Sequence, residues 1–147
     1  MKKLSVFILS SICLLNVGNV SARDNKQMFS IQDAMSLEAF KEKLDGSVRF
    51  YFADQPHPAT IKKFGEFMSN KKTNAFGKSD KQACEWAFLS SMLSFQKRAT
   101  SMGGNAVVNI RSYFKKHEVS SRTEFECGAG AVIAGVTFKG DVVQLAR

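Results

Sequence analysis

The sequence predicts an α+β fold: a small antiparallel or mixed sheet with one long helix packed on one face, in a single domain with one disulfide. Three observations support this fold class. A capping signal opens a long helical stretch at about residues 80–102, β-rich segments with short turns follow it, and the helix and a strand each carry a cysteine. Because strands joined by short turns run antiparallel, the later segments are expected to form one sheet against the helix.

Residues 1–22 have the features of a secretory signal peptide. Lys2 and Lys3 precede an apolar run, and the small residues Val20 and Ala22 form a cleavage pattern. The run is about 12 residues long, short of the ~20 that span a bilayer. We therefore predict cleavage after Ala22 and a periplasmic or secreted protein.

About 125 residues remain after cleavage, which is the size of one domain. We divide them into an N-terminal segment, residues 23–46, and an α+β domain, residues 47–147. Apolar residues at helical spacing over 37–44 predict a short helix in the first segment. Ser36 is its expected N-cap, and Asp45-Gly46 ends it.

Two strands are expected before the long helix. Residues 48–52 are rich in β-formers and predict the first. Pro56 and Pro58 then interrupt the chain, because proline lacks a donor and restricts the residue before it. Residues 59–70 fit either a helix face or a strand returning from the proline turn, and we favour the strand.

The long helix has clear start and stop signals. Ser79 and Gln82 have the spacing of a capping box, and Gly103-Gly104 can supply a left-handed end. The predicted helix therefore covers residues 80–102. Its buried side is expected to include Ala83, Trp86, Leu89, Leu93, Phe95 and Met102.

Three strands are expected after the helix. They cover residues 105–114, where Tyr113 and Phe114 extend the strand, about 124–138, and 142–145. A basic turn over 115–122 separates the first two. Gly140-Asp141 predicts a turn before the third.

The cysteines predict a disulfide. Cys13 leaves with the signal peptide, so the exported chain keeps Cys84 and Cys127. An even pair in an exported protein favours a disulfide, and closing a loop of about 44 residues would stabilise the fold by roughly 3–4 kcal/mol. A reactive nucleophile and a two-thiolate metal site are the alternatives.

Two glycine motifs resemble nucleotide-binding loops without completing them. Gly77-Lys78-Ser79 precedes the helix, but Lys72 stands where a P-loop requires its first glycine. Gly128-Ala-Gly130 and Gly135 lie within a predicted strand rather than between a strand and a helix, which favours close packing against the helix or a bend in the sheet. We therefore expect no nucleotide hydrolysis.

The histidines do not predict a catalytic or metal site. His57 lies in the proline turn and His117 in a charged run, so both are expected to be exposed. Neither has the spacing that brings three or four metal ligands together. We predict a non-enzymatic protein with no catalytic residue, metal or cofactor. The alternatives are a weak metal-binding protein and an enzyme whose polar site combines distant residues such as Asn105, Asn109, Glu124 and Glu126.

The chain is strongly basic, with a formal net charge of +8. Such a charge attracts anionic lipid headgroups and glycans, although it can also act only to keep a protein soluble. We predict a binding or envelope-interaction domain whose partner is an anionic lipid, a glycan or another envelope protein. Export argues against nucleic acid, and a homo-oligomer is a further alternative. The candidate anion-binding residues are Lys71, Lys72, Lys78, Lys81, Lys115 and Lys116.

Four segments of the chain are similar to segments of known proteins: residues 71–79, 83–88, 104–110 and 124–130. They resemble a family of small exported bacterial proteins of unknown function, often labelled "excinuclease ATPase subunit", a label that the incomplete P-loop contradicts. More distantly, the helix followed by Gly-Asn-Ala-Val-Val is similar to YbjQ-type domains described as heavy-metal-binding, and to the lipoprotein sensor of the Rcs envelope-stress system. The resemblance implies a compact α+β domain, with disulfides in the lipoprotein and oligomers in the YbjQ type. It carries no catalytic residue to this chain.

Overall fold

The computed structural model describes residues 24–147, so the predicted signal peptide lies outside the described residues. This range contains three helices, six strands and a 3₁₀ turn at Phe114–Lys116. Their bounds are β1 (Asn25–Ser30), α1 (Ile31–Ser36), α2 (Glu38–Lys43), β2 (Arg49–Phe52), β3 (Thr60–Asn74), α3 (Asp80–Met102), β4 (Ala106–Ser112), β5 (Glu124–Ala129) and β6 (Ile133–Leu145). Among these helices, none is long and apolar enough to cross a membrane.

The strands form one curled, mixed sheet built around β6. One edge of β6 pairs antiparallel with β3 along its whole length. The other edge pairs with β5 near its start, where Gly128 lies opposite Gly135, and with β4 further along, where Ala106 lies opposite Val143. β1 continues the sheet antiparallel beyond β5, and β2 continues it parallel beyond β4. The predicted α+β class is confirmed.

α3 begins and ends at the predicted residues because local signals define both ends. The Ser79 hydroxyl accepts from the Gln82 backbone N–H at 3.1 Å, and the Gln82 side chain accepts from the Ser79 N–H at 3.3 Å. This completes the capping box. At the other end, Gly103 has a φ of 81°, the left-handed conformation that glycine adopts without strain.

The buried side of α3 differs from the predicted one at Trp86. Ala83, Leu89 and Phe95 are buried as expected, and the buried stripe runs through Cys84. Trp86 is 41% exposed, so its predicted burial is wrong. Two residues correspond to about 200° around a helix, which turns Trp86 away from the side that carries Cys84. Leu93 and Met102 are only half-buried.

The predicted disulfide is confirmed between Cys84 of α3 and Cys127 of β5, whose Cα atoms lie 6.0 Å apart. It leaves neither cysteine as a thiolate, so the nucleophile and two-thiolate metal interpretations are wrong. The bond joins the first turns of the helix to the sheet. Around it, both elements contribute aromatic rings to one core that includes Phe88, Phe125 and Phe138.

The predicted ends of the last two strands are wrong. The strand expected at 124–138 is interrupted at 130–132, which separates β5 from β6. β6 then continues through the expected turn at Gly140-Asp141 to Leu145. A Cβ atom at Gly140 would lie 2.6 Å from Cγ1 of Val107. Glycine is therefore needed there for the close packing of β4 side chains on β6, and it does not mark a turn.

The short helix expected over residues 37–44 is present as α2, whose N-cap is Leu37, and a further short helix, α1, precedes it. Ser30 is the actual cap of α1, since its hydroxyl accepts from the Asp33 N–H at 3.1 Å. Ser36 is the last residue of α1, where its hydroxyl donates to the Asp33 carbonyl at 2.8 Å. The predicted N-cap at Ser36 is therefore wrong, although Phe40 of α2 is buried as the helical pattern requires.

Both strands expected before α3 are present, and β3 is longer than predicted. Within residues 24–147, β3 pairs only with β6, so its other edge is open. Lysines are frequent along this open strand, at Lys62, Lys63, Lys71 and Lys72. Charged side chains on an edge strand discourage pairing with another chain, which gives these lysines a structural role whether or not they bind a ligand.

Candidate functional site

The sheet face turned away from α3, the outer face, carries an open groove. Ser69 of β3 contacts Ser91 of α3 at 2.8 Å, and strand side chains alternate, so Asn70 and Lys72 point to the outer face. The groove there, which we call the outer groove, has a volume of about 680 Å³. Gly128 and Gly135 form its floor. The apolar side chains of Phe114, Val132 and Ile133 form its walls. The charged side chains at its rim are Lys72, Lys115 and Asp24.

The floor of the outer groove is low because two glycines lie opposite each other. Gly128 of β5 pairs with Gly135 of β6, so no side chain rises between the strands at this point. A Cβ atom at Gly128 would lie 2.2 Å from the Phe114 ring. The ring therefore packs directly on the β5 backbone. Gly128 therefore permits close packing, but against the Phe114 ring and not against the helix as predicted.

The turn after β4 places Phe114 and Lys115 at the groove. β4 ends at Ser112, so the predicted extension through Tyr113 and Phe114 is wrong. The Tyr113 N–H donates to the Thr137 carbonyl at 2.7 Å, which ties the turn to β6. Lys115 has a left-handed φ of 50° and pairs with Asp24. This backbone turns the chain back over the outer face.

The structure brings together two of the six candidate anion-binding lysines. Lys72 and Lys115 come from distant parts of the chain and meet at the rim of the outer groove. Lys71 follows the alternation of β3 to the other face, where it lies beside Lys97 and Arg98 of α3. Lys71 and Lys72, although adjacent in sequence, therefore lie on opposite faces of the sheet.

The other three candidate lysines lie elsewhere. Lys81 is 2.6 Å from Asp33 and 3.8 Å from Glu85, so its charge is already balanced by carboxylates. Lys78 donates to the Asn74 carbonyl at 3.1 Å, in the turn before α3. Lys116 is exposed and follows Lys115 in the left-handed region.

The four residues considered for an enzyme site do not converge. The side-chain amide of Asn105 donates to the Leu145 carbonyl at 3.0 Å and accepts from the Leu145 N–H at 2.7 Å. These two hydrogen bonds join the start of β4 to the end of β6. Asn109 donates to Asp141 at 3.3 Å on the same half of the sheet. Glu124 is exposed on β5, at the other end of β6 from Asn105.

Glu126 has an unusual environment. Its side chain is 8% exposed, and its Oε2 lies 3.8 Å from Nδ1 of His117. Its Oε1 is the one buried side-chain oxygen or nitrogen within residues 24–147 that makes no hydrogen bond. Buried carboxylate oxygens usually have a partner, so Oε1 of Glu126 is free to accept a hydrogen bond from a bound group.

The histidines occupy separate surfaces. His57 is exposed, bonds to the Pro58 carbonyl at 2.8 Å and packs on the Tyr51 ring. His117 is exposed over Glu126. Nowhere in the described part of the chain do three or more His, Cys, Asp or Glu side chains gather in a way that could hold a metal ion.

Glu85 provides a pH-dependent prediction. It is buried beside Lys81, and burial raises the pKa of its carboxyl despite the opposing effect of that ammonium group. A raised pKa in the folded state means that the ionised form destabilises the fold, so stability falls as pH rises from about 4.5 through the raised value. We therefore expect Glu85→Gln to increase the melting temperature at pH 7, and this gain to disappear at pH 4.

Thermal unfolding at the two pH values tests this expectation. Glu38→Gln is the matched control, because Glu38 is exposed on α2 and should give no gain at either pH. A Glu85→Gln variant that is less stable than the wild type at pH 7 would contradict the expectation. Such a result would mean that the contact with Lys81 outweighs the cost of burial.

The sequence did not single out the apolar side chains at one end of the sheet. Phe76, Val132 and Ile133 are 74%, 60% and 54% exposed. Together with Lys72 they line a shallow surface next to the outer groove. Phe76 could have indicated this surface from the sequence. It is a large aromatic residue in the polar turn before the helix cap, where it has no evident role in folding.

Searches of protein-family models, curated proteins and solved structures found nothing that matches this chain. The resemblance to small exported proteins therefore stays a prediction. The function proposed below rests on the contacts and charges of the chain's own residues.

Proposed function

We propose that this chain is an exported, non-enzymatic binding domain that holds an anionic molecule of the cell envelope, a lipid or a glycan, at the outer groove. One observation carries the proposal: Lys72 and Lys115 stand at the rim of a single shallow groove although they are distant in sequence. Lys115 is paired with Asp24 at this rim, so an anion bound there would compete with that carboxylate for the Lys115 ammonium group, whereas no carboxylate pairs with Lys72 among the ion pairs of residues 24–147. The two ammonium groups beside an apolar surface suit a phosphate, sulfate or carboxylate group whose remaining part packs on the glycine floor.

Export is part of this proposal. The Cys84–Cys127 disulfide supports it, because disulfides form and persist in oxidising compartments. The predicted leader at residues 1–22 agrees with the same compartment. In the envelope, anionic lipids and glycans are abundant, and a basic groove would meet them there.

An enzyme or a weak metal-binding protein is the second candidate, and the observation in its favour is Glu126. A buried carboxylate oxygen without a partner can serve as a general base or as a cation ligand. Among the ion pairs of residues 24–147, however, Glu126 takes part in one, with His117, and an acid–base or metal site needs more convergent groups. The groove lysines therefore support the binding function better.

Neutralising Lys72 and Lys115 together is expected to weaken binding about 30-fold, because each lysine near an anionic surface contributes roughly 1 kcal/mol. The double variant K72Q/K115Q is titrated at physiological salt with two probes. Vesicles of phosphatidylcholine containing phosphatidylglycerol test the lipid source, and heparin tests the glycan source. Binding of one probe and not the other identifies the source.

The matched control is K62Q/K63Q. It removes the same amount of charge, at the end of β3 away from the groove. We expect this variant to bind within about threefold of the wild type, because screening limits the reach of exposed charges. Equal losses in the two variants would mean attraction by net charge alone, and would contradict a site at the outer groove. No binding of either probe by the wild type would also contradict it.

A further inference from the structure

Three large apolar side chains are exposed together at one end of the sheet: Phe76, Val132 and Ile133, which we call the apolar tip. Phe76 and Val132 lie in two adjacent turns, and Ile133 is the first residue of β6. The Ala75 N–H donates to the Val132 carbonyl at 2.7 Å, and Asn74 pairs with Ile133 at the end of the β3–β6 ladder. These contacts hold the two turns side by side, and the three exposed apolar side chains line one surface.

The two turns do not need the apolar side chains of the tip to keep their conformation. The turn before α3 is shaped by Asn74, whose side chain accepts from the Phe76 N–H at 2.8 Å, and by Gly77, with a φ of 73°. Neither contact depends on the Phe76 ring. Val132 lies in the short connection between β5 and β6, where polar residues are usual. Grouped apolar exposure of this kind marks a surface that contacts another apolar phase or a partner.

Lysines surround the apolar tip. Lys72 lines the same shallow surface as the tip residues, and Lys78 follows Phe76 in the same turn. Lys115 stands across the outer groove, where Val132 and Ile133 form the wall. A second copy of the chain would bring lysines against lysines on this surface. An anionic surface matches the charges, and the lysine stems can lie along the apolar residues while their ammonium groups reach the anions.

We propose that the apolar tip inserts into the headgroup region of an anionic lipid bilayer, with Lys72 and Lys78 against the lipid phosphates. The combination of inserted apolar side chains with adjacent cations is the general basis of interfacial membrane binding. The proposal rests on the proposed function, because it specifies the anionic partner as a bilayer surface. Three side chains make a small insertion, so the binding is reversible and depends on the anionic lipid.

The test compares two pairs of exposed apolar residues. F76S/V132S removes most of the apolar tip. I61S/M68S is the matched control, since Ile61 and Met68 are 65% and 61% exposed on the same strand, away from the tip. Binding is measured by flotation with phosphatidylcholine vesicles, with and without phosphatidylglycerol. We expect the tip variant to lose at least about tenfold in binding to the anionic vesicles and the control variant to bind like the wild type.

A fluorescent probe reports insertion directly. Phe76→Trp is introduced together with Trp86→Phe, so that the single indole stands at the tip. Its emission is expected to shift to shorter wavelength with anionic vesicles and not with neutral ones, because the ring leaves water. Unchanged emission, or vesicle binding by F76S/V132S equal to that of the wild type, would overturn the proposal.

The outcomes separate this proposal from the proposed function. If F76S/V132S loses vesicle binding but keeps heparin binding, the tip is specific for the bilayer. If it loses both equally, the tip contacts any anionic ligand and insertion is overturned. If K72Q/K115Q weakens binding while the tip variant does not, the outer groove stands without insertion. A wild type that dimerises in the absence of lipid, and a tip variant that does not, would assign the tip to a second copy instead.

Discussion

Replacing both Cys84 and Cys127 by alanine is expected to lower the free energy of unfolding by about 4 kcal/mol. The disulfide closes a loop with a sequence separation of 43, and the chain-entropy relation for such a loop predicts a cost of this size. Both residues are fully buried, but cysteine is small, so the alanines leave little empty volume. The loss therefore comes mainly from the greater freedom of the unfolded chain.

Urea denaturation measures this loss. The wild type, unfolded and refolded with a reductant, should become as unstable as the double variant, and the double variant should not respond to the reductant. Titration of thiols in the unfolded, unreduced mature protein should find none. A loss below about 1 kcal/mol would mean that packing alone holds α3 on the sheet, and two titratable thiols would contradict the disulfide itself.

The disulfide is also placed to affect the outer groove. Cys127 turns to α3, and its neighbour Gly128 forms the floor of the groove on the opposite face of the same strand. β5 pairs with β1 at six positions but with β6, the central strand, at only two, and the disulfide adds a covalent link from this strand to α3. Stability and the shape of the binding surface therefore depend on the same short strand.

The helix could be predicted from sequence almost to the residue because its signals are local. Ser79, Gln82 and Gly103 act within a few residues of the ends that they define. The glycines after the helix could not be interpreted as well. The sequence predicts a turn at Gly140, whereas this glycine is needed because Val107, from another strand, lies against its backbone. A sequence does not reveal which distant side chain approaches a glycine.

The outer groove was predicted only in part, for a similar reason. Lysines were identified as candidates, but the alternation of β3 separates Lys71 from Lys72, and that alternation is known only once the strand is certain. Lys115 reaches the groove through a left-handed backbone, which lysine seldom adopts and no local pattern indicated. The groove thus depends on tertiary contacts, which place the turn with Phe114 and Lys115 over Gly128 and Gly135.

Phe88→Ala is expected to lower the free energy of unfolding by about 3–5 kcal/mol, the usual range for removing a buried phenylalanine. Phe88 is fully buried on α3. Its ring centroid lies between 4.7 and 6.1 Å from those of four other rings, Phe40, Phe52, Phe125 and Phe138. These rings come from α2 and from three strands, so the cavity would weaken the contacts of α3 with all four elements at once.

Two further variants show whether the cavity causes the loss. Phe88→Leu keeps most of the volume and should cost less than half as much as Phe88→Ala. Phe76→Ala removes the same ring from an exposed position, and we expect a change within about 0.5 kcal/mol. Similar losses at Phe88 and Phe76 would contradict the placement of Phe88 at the centre of the core. A large loss at Phe88 alone would show that the phenylalanines of this chain divide into those that hold the fold and those that are free to contact a partner.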